Sequence, residues 1–239
     1  MNLRARLLAI AGLLAGCGDV VIGSFALGTD GTDDTASSTG ADALPLPGGC
    51  VALPFDGDED PAVWLTWAEG DAQTMIADGR LALRPSSAAE QSTGLVLVDR
   101  EAFRFTDASL RVQVVTPPEP TSATELFLQV TQQAPATQAV LSFGLFQGNA
   151  RVRGVADDGT LAWAEQVVAG YPAWIGLRLQ DGRVVFETAS NGDDWTEVAS
   201  YDAPATFAGA APLVMTWNNP GAPLLSQTVE VDTLRVCAQ

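Results

Sequence analysis

From residue 50 onward, apolar and polar positions alternate in short blocks separated by pairs containing Gly, Asp or Asn, a pattern that predicts β-strands joined by tight turns. Ile175, Leu177 and Leu179 alternate with Gly176, Arg178 and Gln180 and run into Asp181-Gly182. Residues 183–190 follow with Val184, Phe186 and Thr188 on one parity, so the Asp-Gly pair predicts a type I′ hairpin. A second hairpin turns at Asn191-Gly192-Asp193-Asp194 into residues 195–201. The same reading gives Gln73–Ala77 and Arg80–Arg84 about Asp78-Gly79, then 94–99, 109–116 and 125–131. Residues 138–146 are apolar on both parities and suit the middle of a sheet. They turn at Gln147-Gly148-Asn149 into 150–156, and Asp158-Gly159 leads to 160–168. Residues 213–218 and 226–236 complete the set. In the last of these, Val229 and Val231 lie on one parity and Leu234 and Val236 on the other, which predicts a bulge near Thr233. No segment of this region keeps a helical period for three turns. An all-β sandwich of two antiparallel sheets buries so many strands economically.

The first 49 residues read differently. Arg4 and Arg6 precede the apolar run from Leu7 to Leu14, and Leu14-Ala15-Gly16-Cys17 follows, the order of a secretory signal with a small-residue cleavage site. Leu-Ala-Gly-Cys resembles the bacterial lipobox, which implies removal of residues 1–16, acylation of Cys17 and a lipid anchor in a bacterial cell envelope, periplasmic or at the cell surface. A plain transmembrane anchor over residues 7–27 is the alternative; Asp19 near its middle opposes it, at a cost of about 2.5–3.5 kcal/mol. Residues 29–49, rich in Asp, Thr, Ser, Gly and Pro, carry too little apolar surface to offset the entropy of ordering. The predicted organisation is a signal peptide over 1–16, a lipid-anchored tether over 17–49 and one domain over 50–239.

Composition narrows the chemistry. The chain carries 29 acidic and 12 basic residues, a formal charge of −17, and every basic residue is Arg. With neither His nor Lys, it cannot supply a Ser-His-Asp or Cys-His triad, a histidine-ligated metal or a Lys Schiff base. So acidic a chain is also a poor partner for nucleic acid, which is bound by displacing phosphate counterions with Lys and Arg. The domain itself keeps 24 acidic and 10 basic residues, net −14.

Three cysteines divide into Cys17 for lipid and two others, Cys50 at the start of the domain and Cys237 near its end. In an oxidising compartment they can pair and staple the first strand to the last; two free thiols are the alternative.

The run from Trp174 through Asp181-Gly182 and Phe186 to Trp195, and the closing Val229-Glu230-Val231-Asp232-Thr233-Leu234-Arg235-Val236, resemble concanavalin A-like domains of the laminin-G and glucanase superfamily. The resemblance implies a concanavalin A-like jelly-roll sandwich and places the last strand beside the first, in keeping with a Cys50–Cys237 pair. That fold hosts lectins, glycosidases, adhesion modules and spacers, so it leaves function open. The glucanase branch uses Glu-x-Asp-x-x-Glu on one strand. The nearest strings here, Glu230-Val231-Asp232-Thr233-Leu234-Arg235 and Glu69-Gly70-Asp71-Ala72-Gln73-Thr74, both lack the final Glu. No catalytic residue is therefore assigned.

Two candidate sites remain. Asp56, Asp58 and Asp60 form the densest acidic stretch, a candidate calcium loop or an ordinary solvated turn; no other cofactor is expected. Asn191, Asp193 and Asp194 read as turn chemistry first and calcium ligands second. Trp217, Asn218 and Asn219 are a candidate ligand surface, within a platform that could include Trp64, Trp67 and Trp163, while Trp174 and Trp195 read as packing. Three functions follow in order: a non-catalytic envelope lipoprotein for binding or adhesion, with a glycan as the ligand class; an envelope lipoprotein that engages another envelope protein; and a glycosidase.

Overall fold

The computed structural model describes residues 50–56, 64–88, 91–97, 108–131, 139–156, 160–203, 211–219 and 227–238. It also gives the backbone of two-residue strands at Ile10–Ala11, Val21–Ile22 and Pro45–Leu46. Cys17 and the rest of the leader and tether lie outside the described residues. From Cys50 on, the strands are β1 (Cys50–Leu53), β2 (Trp64–Ala68), β3 (Gln73–Ala77), β4 (Arg80–Arg84) and β5 (Ser92–Leu97). They continue as β6 (Ala108–Thr116), β7 (Thr124–Thr131), β8 (Val140–Phe146), β9 (Asn149–Val155) and β10 (Leu161–Ala169). The last are β11 (Trp174–Gln180), β12 (Arg183–Ala189), β13 (Thr196–Asp202), β14 (Ala211–Asn218) and β15 (Val229–Ala238). No helix occurs among the described residues.

Turn chemistry sets the local pairing. Asp78-Gly79, Gln147-Gly148 and Asp181-Gly182 each place both central residues at positive φ, between 49° and 76°. That is the type I′ geometry whose twist matches the flanking strands, and it pairs β3 with β4, β8 with β9 and β11 with β12.

The strands form two antiparallel sheets in a concanavalin A-like jelly-roll sandwich. One is seven-stranded, in the order β10-β9-β8-β7-β14-β5-β2. The other is nine-stranded and runs β13-β12-β11-β6-β15-β1 to the Pro45–Leu46 segment, with β4 also beside β15 and β3 beside β4. The inward parities interdigitate as one core: Leu126, Leu128 and Phe143 from the first sheet meet Leu110, Leu177 and Phe186 from the second. Phe143 and Phe186 meet edge to face with centroids 5.7 Å apart, an arrangement aromatic rings prefer.

The expected bulge in the last strand is present. The register between β15 and β6 shifts between Asp232 and Leu234, and Thr233 has φ 34°. The extra residue brings Val229, Val231, Leu234 and Val236 all to the core. Cys50 and Cys237 face each other across β1 and β15 and are joined as a disulfide that spans 187 positions of sequence. One expectation shifts. The strand read at 94–99 begins earlier, at Ser92, because Ser92 and Thr93 pair with Trp217 and Thr216 on β14. Phe55, at the head of the acidic stretch, is fully buried with φ 56°. Burying its ring contributes roughly 1.5–3 kcal/mol, which offsets a backbone strain of about 1–3 kcal/mol.

Candidate functional site

Alternation along β7 sends Leu126, Leu128 and Val130 into the core and Glu125, Phe127 and Gln129 to the outer face of the seven-stranded sheet. Register places their neighbours. On β14, Trp217 lies opposite Glu125, Met215 opposite Phe127 and Leu213 opposite Gln129. On β8, Gly144 lies opposite Phe127 and Ser142 opposite Gln129; on β9, Arg151 and Arg153 follow in the same rows. Towards the other edge, Gly94 on β5 faces Met215, and Trp67 on β2 faces Gly94. Trp67, Leu213 and Met215 form a second hydrophobic cluster here, with Val96 and Phe127 packed against it. Gly94 is required by this packing: a Cβ there would stand 2.3 Å from the Val214 carbonyl oxygen and 2.5 Å from the Trp67 ring.

Glu125 is the buried acid of this face, with 8% of its surface exposed. The Trp217 indole N–H donates to its Oε2 at 3.2 Å, and Asn219 is a second hydrogen-bond partner. Burial pushes the Glu125 carboxyl up to about 7, against the opposing pull of the Trp217 bond, Arg151, the Asn219 bond and Arg153. Desolvation wins because the charged form loses its water. Tyr171 stands at the margin: its hydroxyl accepts the Gly148 N–H at 2.6 Å, and burial pushes its pKa up.

A second carboxyl, Glu69, anchors the opposite end of the row. Its Oε2 accepts the Ser92 N–H at 2.7 Å and the Ser92 hydroxyl at 3.0 Å, and the Trp67 indole N–H donates to Ser92 Oγ at 3.1 Å. Ser92 pairs with Trp217 and Trp217 with Glu125, so Glu69 and Glu125 are three strand spacings apart along the backbone, about 14 Å. On β7 itself, the same-face positions after Glu125 are Phe127 and Gln129, neither of them acidic.

The residues singled out from sequence are dispersed. Trp217 lies on the outer face but is only 4% exposed and is held by Glu125. Asn218 points the other way: it is fully buried, donates to the Ser86 carbonyl at 2.6 Å and accepts from Thr124 at 3.2 Å. Asn219 donates its backbone N–H to Ala123 and reaches Glu125. Trp64 belongs to the main core and Trp163 packs against that core, stacked on Tyr201 at 4.0 Å, so of the four-Trp platform only Trp67 and Trp217 share the outer face. Asp56 is exposed, and Asp58 and Asp60 lie outside the described residues. No group of three or more His, Cys, Asp or Glu that could hold a metal occurs among the described residues. Asn191 Oδ1 accepts the backbone N–H of Asp193 and of Asp194, each at 3.0 Å, which is the turn role expected of it. The acids of the two Glu-x-Asp strings are engaged as well. Glu230 pairs with Arg80 at 3.0 Å, and hydrogen bonds from Ser86 and Ser87 lower the Asp71 pKa to about 2.

The outer face of the nine-stranded sheet satisfies itself. Arg111 and Arg178 reach the buried Glu187 carboxylate at 2.7 and 3.4 Å. Arg111 lies 4.3 Å over Trp195 and Arg235 5.1 Å over Trp174, and the two indoles meet edge to face at 6.2 Å. Trp174 and Trp195 are thus packing residues, as read from sequence.

Sequence reasoning passed over Glu125, Phe127 and Arg151. Each alternates with core residues as any solvent-facing residue of a half-buried strand does. The one local signal was the low charge of Glu125-Leu126-Phe127-Leu128-Gln129 for a strand with an outer face.

No protein-family model and no curated protein sequence matches this chain. Solved structures do. The β-glucanase of Bacillus licheniformis superposes with a TM-score of 0.61 at 11% identity, covering 81% of this chain and all of that one. The exoplasmic/lumenal domain of VIP36, solved with Ca²⁺ and Man3GlcNAc, has a TM-score of 0.54 at 8% identity and covers 74% of this chain and 84% of that one. A protein of unknown function from Shewanella oneidensis covers 87% of this chain and 95% of its own, with a TM-score of 0.56 at 14% identity. At these identities the likeness establishes the fold.

Proposed function

We propose that this chain is a non-catalytic bacterial envelope lipoprotein whose sandwich domain binds carbohydrate across the outer face of the seven-stranded sheet. The observation that carries the reading is the contrast between the two outer faces. The nine-stranded sheet gathers Arg111 and Arg178 on Glu187 and lays arginines over its indoles, whereas the seven-stranded sheet sets aromatic Phe127 and amide Gln129, both half-buried, beside Glu125 and Arg151. Aromatic surface with a few placed polar groups suits a sugar ring, whose faces are apolar and whose rim is hydroxylated. A retaining glycosidase needs two carboxyls about 5–5.5 Å apart. The alternation of Glu125, Phe127 and Gln129 on β7 and the distant Glu69 favour binding over hydrolysis.

The test is a glycan array probed with the detergent-solubilised full-length chain, with and without Ca²⁺. Phe127→Ala is expected to weaken any binding roughly tenfold or more, as truncation of a central aromatic contact does. A blank array in both conditions overturns the carbohydrate reading. Release of reducing sugar that Glu125→Gln abolishes overturns its non-catalytic part. A calcium requirement would direct attention to Asp56, Asp58 and Asp60.

The anchor is tested separately. Cys17→Ser is expected to abolish incorporation of a clickable fatty acid and to move the protein from the membrane to the soluble fraction. Label retained by Cys17→Ser would exclude acylation at that sulfur.

A further inference from the structure

The polar end of the same face has features that a neutral sugar does not use. Arg151 and Arg153 are two apart on β9, so both side chains rise from the outer face of a domain with 24 acidic and 10 basic residues. The Arg151 guanidinium lies 5.2 Å from the Phe146 ring centroid and makes no ion pair with any described residue. Across the strand from Arg151 is Gly144, and beyond it Phe127. A Cβ at Gly144 would stand 3.1 Å from Glu125 Oε1 and 3.2 Å from the Phe127 ring, so the glycine lets both side chains lean across β8 toward Arg151. A guanidinium held in place by an aromatic ring presents a fixed fork of N–H donors, which matches a carboxylate or sulfate oxygen pair.

Building on the carbohydrate reading of this face, we propose that its ligand is an acidic glycan. The ligand's carboxylate or sulfate group docks on Arg151, and its sugar ring lies against the Phe127 ring where that ring covers Gly144. The net charge of the domain makes this selective. At −14 it repels polyanions at long range, so a local contact is needed to hold one. Glu125 modulates the contact. It is faced by Arg151 and Arg153 from β9, by Tyr171 from the segment before β11, and by Trp217 and Asn219 at the end of β14. Below neutrality its carboxyl is held protonated by burial and adds no repulsion to an incoming anion; above neutrality it becomes a like charge.

The experiment uses matched pairs on the detergent-solubilised full-length chain: polygalacturonate against its methyl ester, and a sulfated galactan against its desulfated form. The charged member of one pair is expected to bind at least tenfold more tightly than its neutral counterpart, and which pair responds separates uronate from sulfate. Arg151→Gln is expected to weaken that binding roughly ten- to a hundredfold, the loss typical of a charge-assisted hydrogen bond. Arg183→Gln, an exposed arginine on the other sheet, should leave it unchanged. Binding should tighten from pH 8 to pH 6 in the parent and stay flat in Glu125→Gln. Neutral members bound as well as charged ones, or acidic binding indifferent to Arg151→Gln, overturns this inference and leaves the carbohydrate reading standing. No binding to either pair alongside a neutral hit on the array does the same. No binding to either pair with a blank array overturns both.

Discussion

Replacing Cys50 and Cys237 together by Ala, or reducing the bond, is expected to cost about 2–5 kcal/mol of stability while the fold survives. The bond closes a loop of 187 positions, and by the loop-closure argument a cross-link over so long a span removes enough freedom from the unfolded chain to contribute about 5 kcal/mol. Native-state relaxation makes that an upper value. The fold survives because β1 has other anchors. Leu53, opposite Leu234, and Phe55 are both buried in the core, and each contributes roughly 1.5–3 kcal/mol through its own burial. Thermal unfolding with and without reductant should show the melting temperature fall by on the order of 10 °C. Hydrogen exchange should show protection lost first at residues 50–53. An unchanged melting temperature in the double Ala variant would show that the staple contributes nothing.

Glu125→Gln is expected to stabilise the protein at alkaline pH and to leave it unchanged in mild acid. The sign follows from the direction of the shift. The folded-state value, about 7, lies above the ordinary value of 4.5 for a free Glu, so between these limits the folded protein holds a proton that the unfolded chain has released. Stability therefore falls as pH rises through that window, and the full penalty is present above it. Two to three pH units of displacement correspond to on the order of 3 kcal/mol. Gln mimics the protonated carboxyl, keeps an oxygen for the Trp217 N–H, and does not ionise. The two proteins should melt together at pH 4.5 and separate by roughly 6–12 °C at pH 8.5. Parallel profiles across that range would mean that the carboxyl is solvated in the native state. The same variant removes the pH dependence of ligand binding described above, so one substitution reports on both stability and recognition.

Glycine at position 144 and aspartate at 181 illustrate how differently two residues of one sheet protein can be read. Asp181-Gly182 announces its hairpin because the demand for positive φ at both positions is local and few residues meet it. Nothing near Gly144 in the chain says that it clears space for Phe127 and Glu125, whose β7 strand lies beyond a separate connection. The strand at Trp64–Ala68 was missed for a related reason. Trp64 and Trp67 are three apart and so lie on opposite faces, one in the main core and one in the outer cluster. A strand whose two buried residues fall on opposite parities, with Thr66 and Ala68 exposed, has no alternation to read.

The bulge at Thr233 shows how far pattern alone can reach. Two valines on one parity and Leu234 and Val236 on the other cannot all be buried in a regular strand, and one extra residue is the local remedy, so the bulge was legible. The location of most hairpins and the all-β class were legible on the same terms, as was the pairing of two cysteines at the ends of a domain. Each depends on residues close in sequence, on period-two burial, or on counting a scarce residue type. The absence of His and Lys likewise excluded whole classes of chemistry without any structure.

The site belongs to the other category. Glu125 and Trp217 are 92 positions apart and become neighbours only because β14 returns to pair with β7; Arg151 reaches the next same-face row, that of Phe127, through β8. The raised pKa of Glu125 is a property of that assembly, since burial on the outer face comes from neighbouring strands rather than from its own. By itself the sequence determined which residues form strands and which turns join them, because backbone preference and alternation act over a few residues. Only the tertiary structure decided that the buried acid of one outer face, Glu187, is ion-paired with two arginines while that of the other, Glu125, is held by an indole and has its pKa raised, because desolvation and strand register are set by contacts between segments distant in the chain.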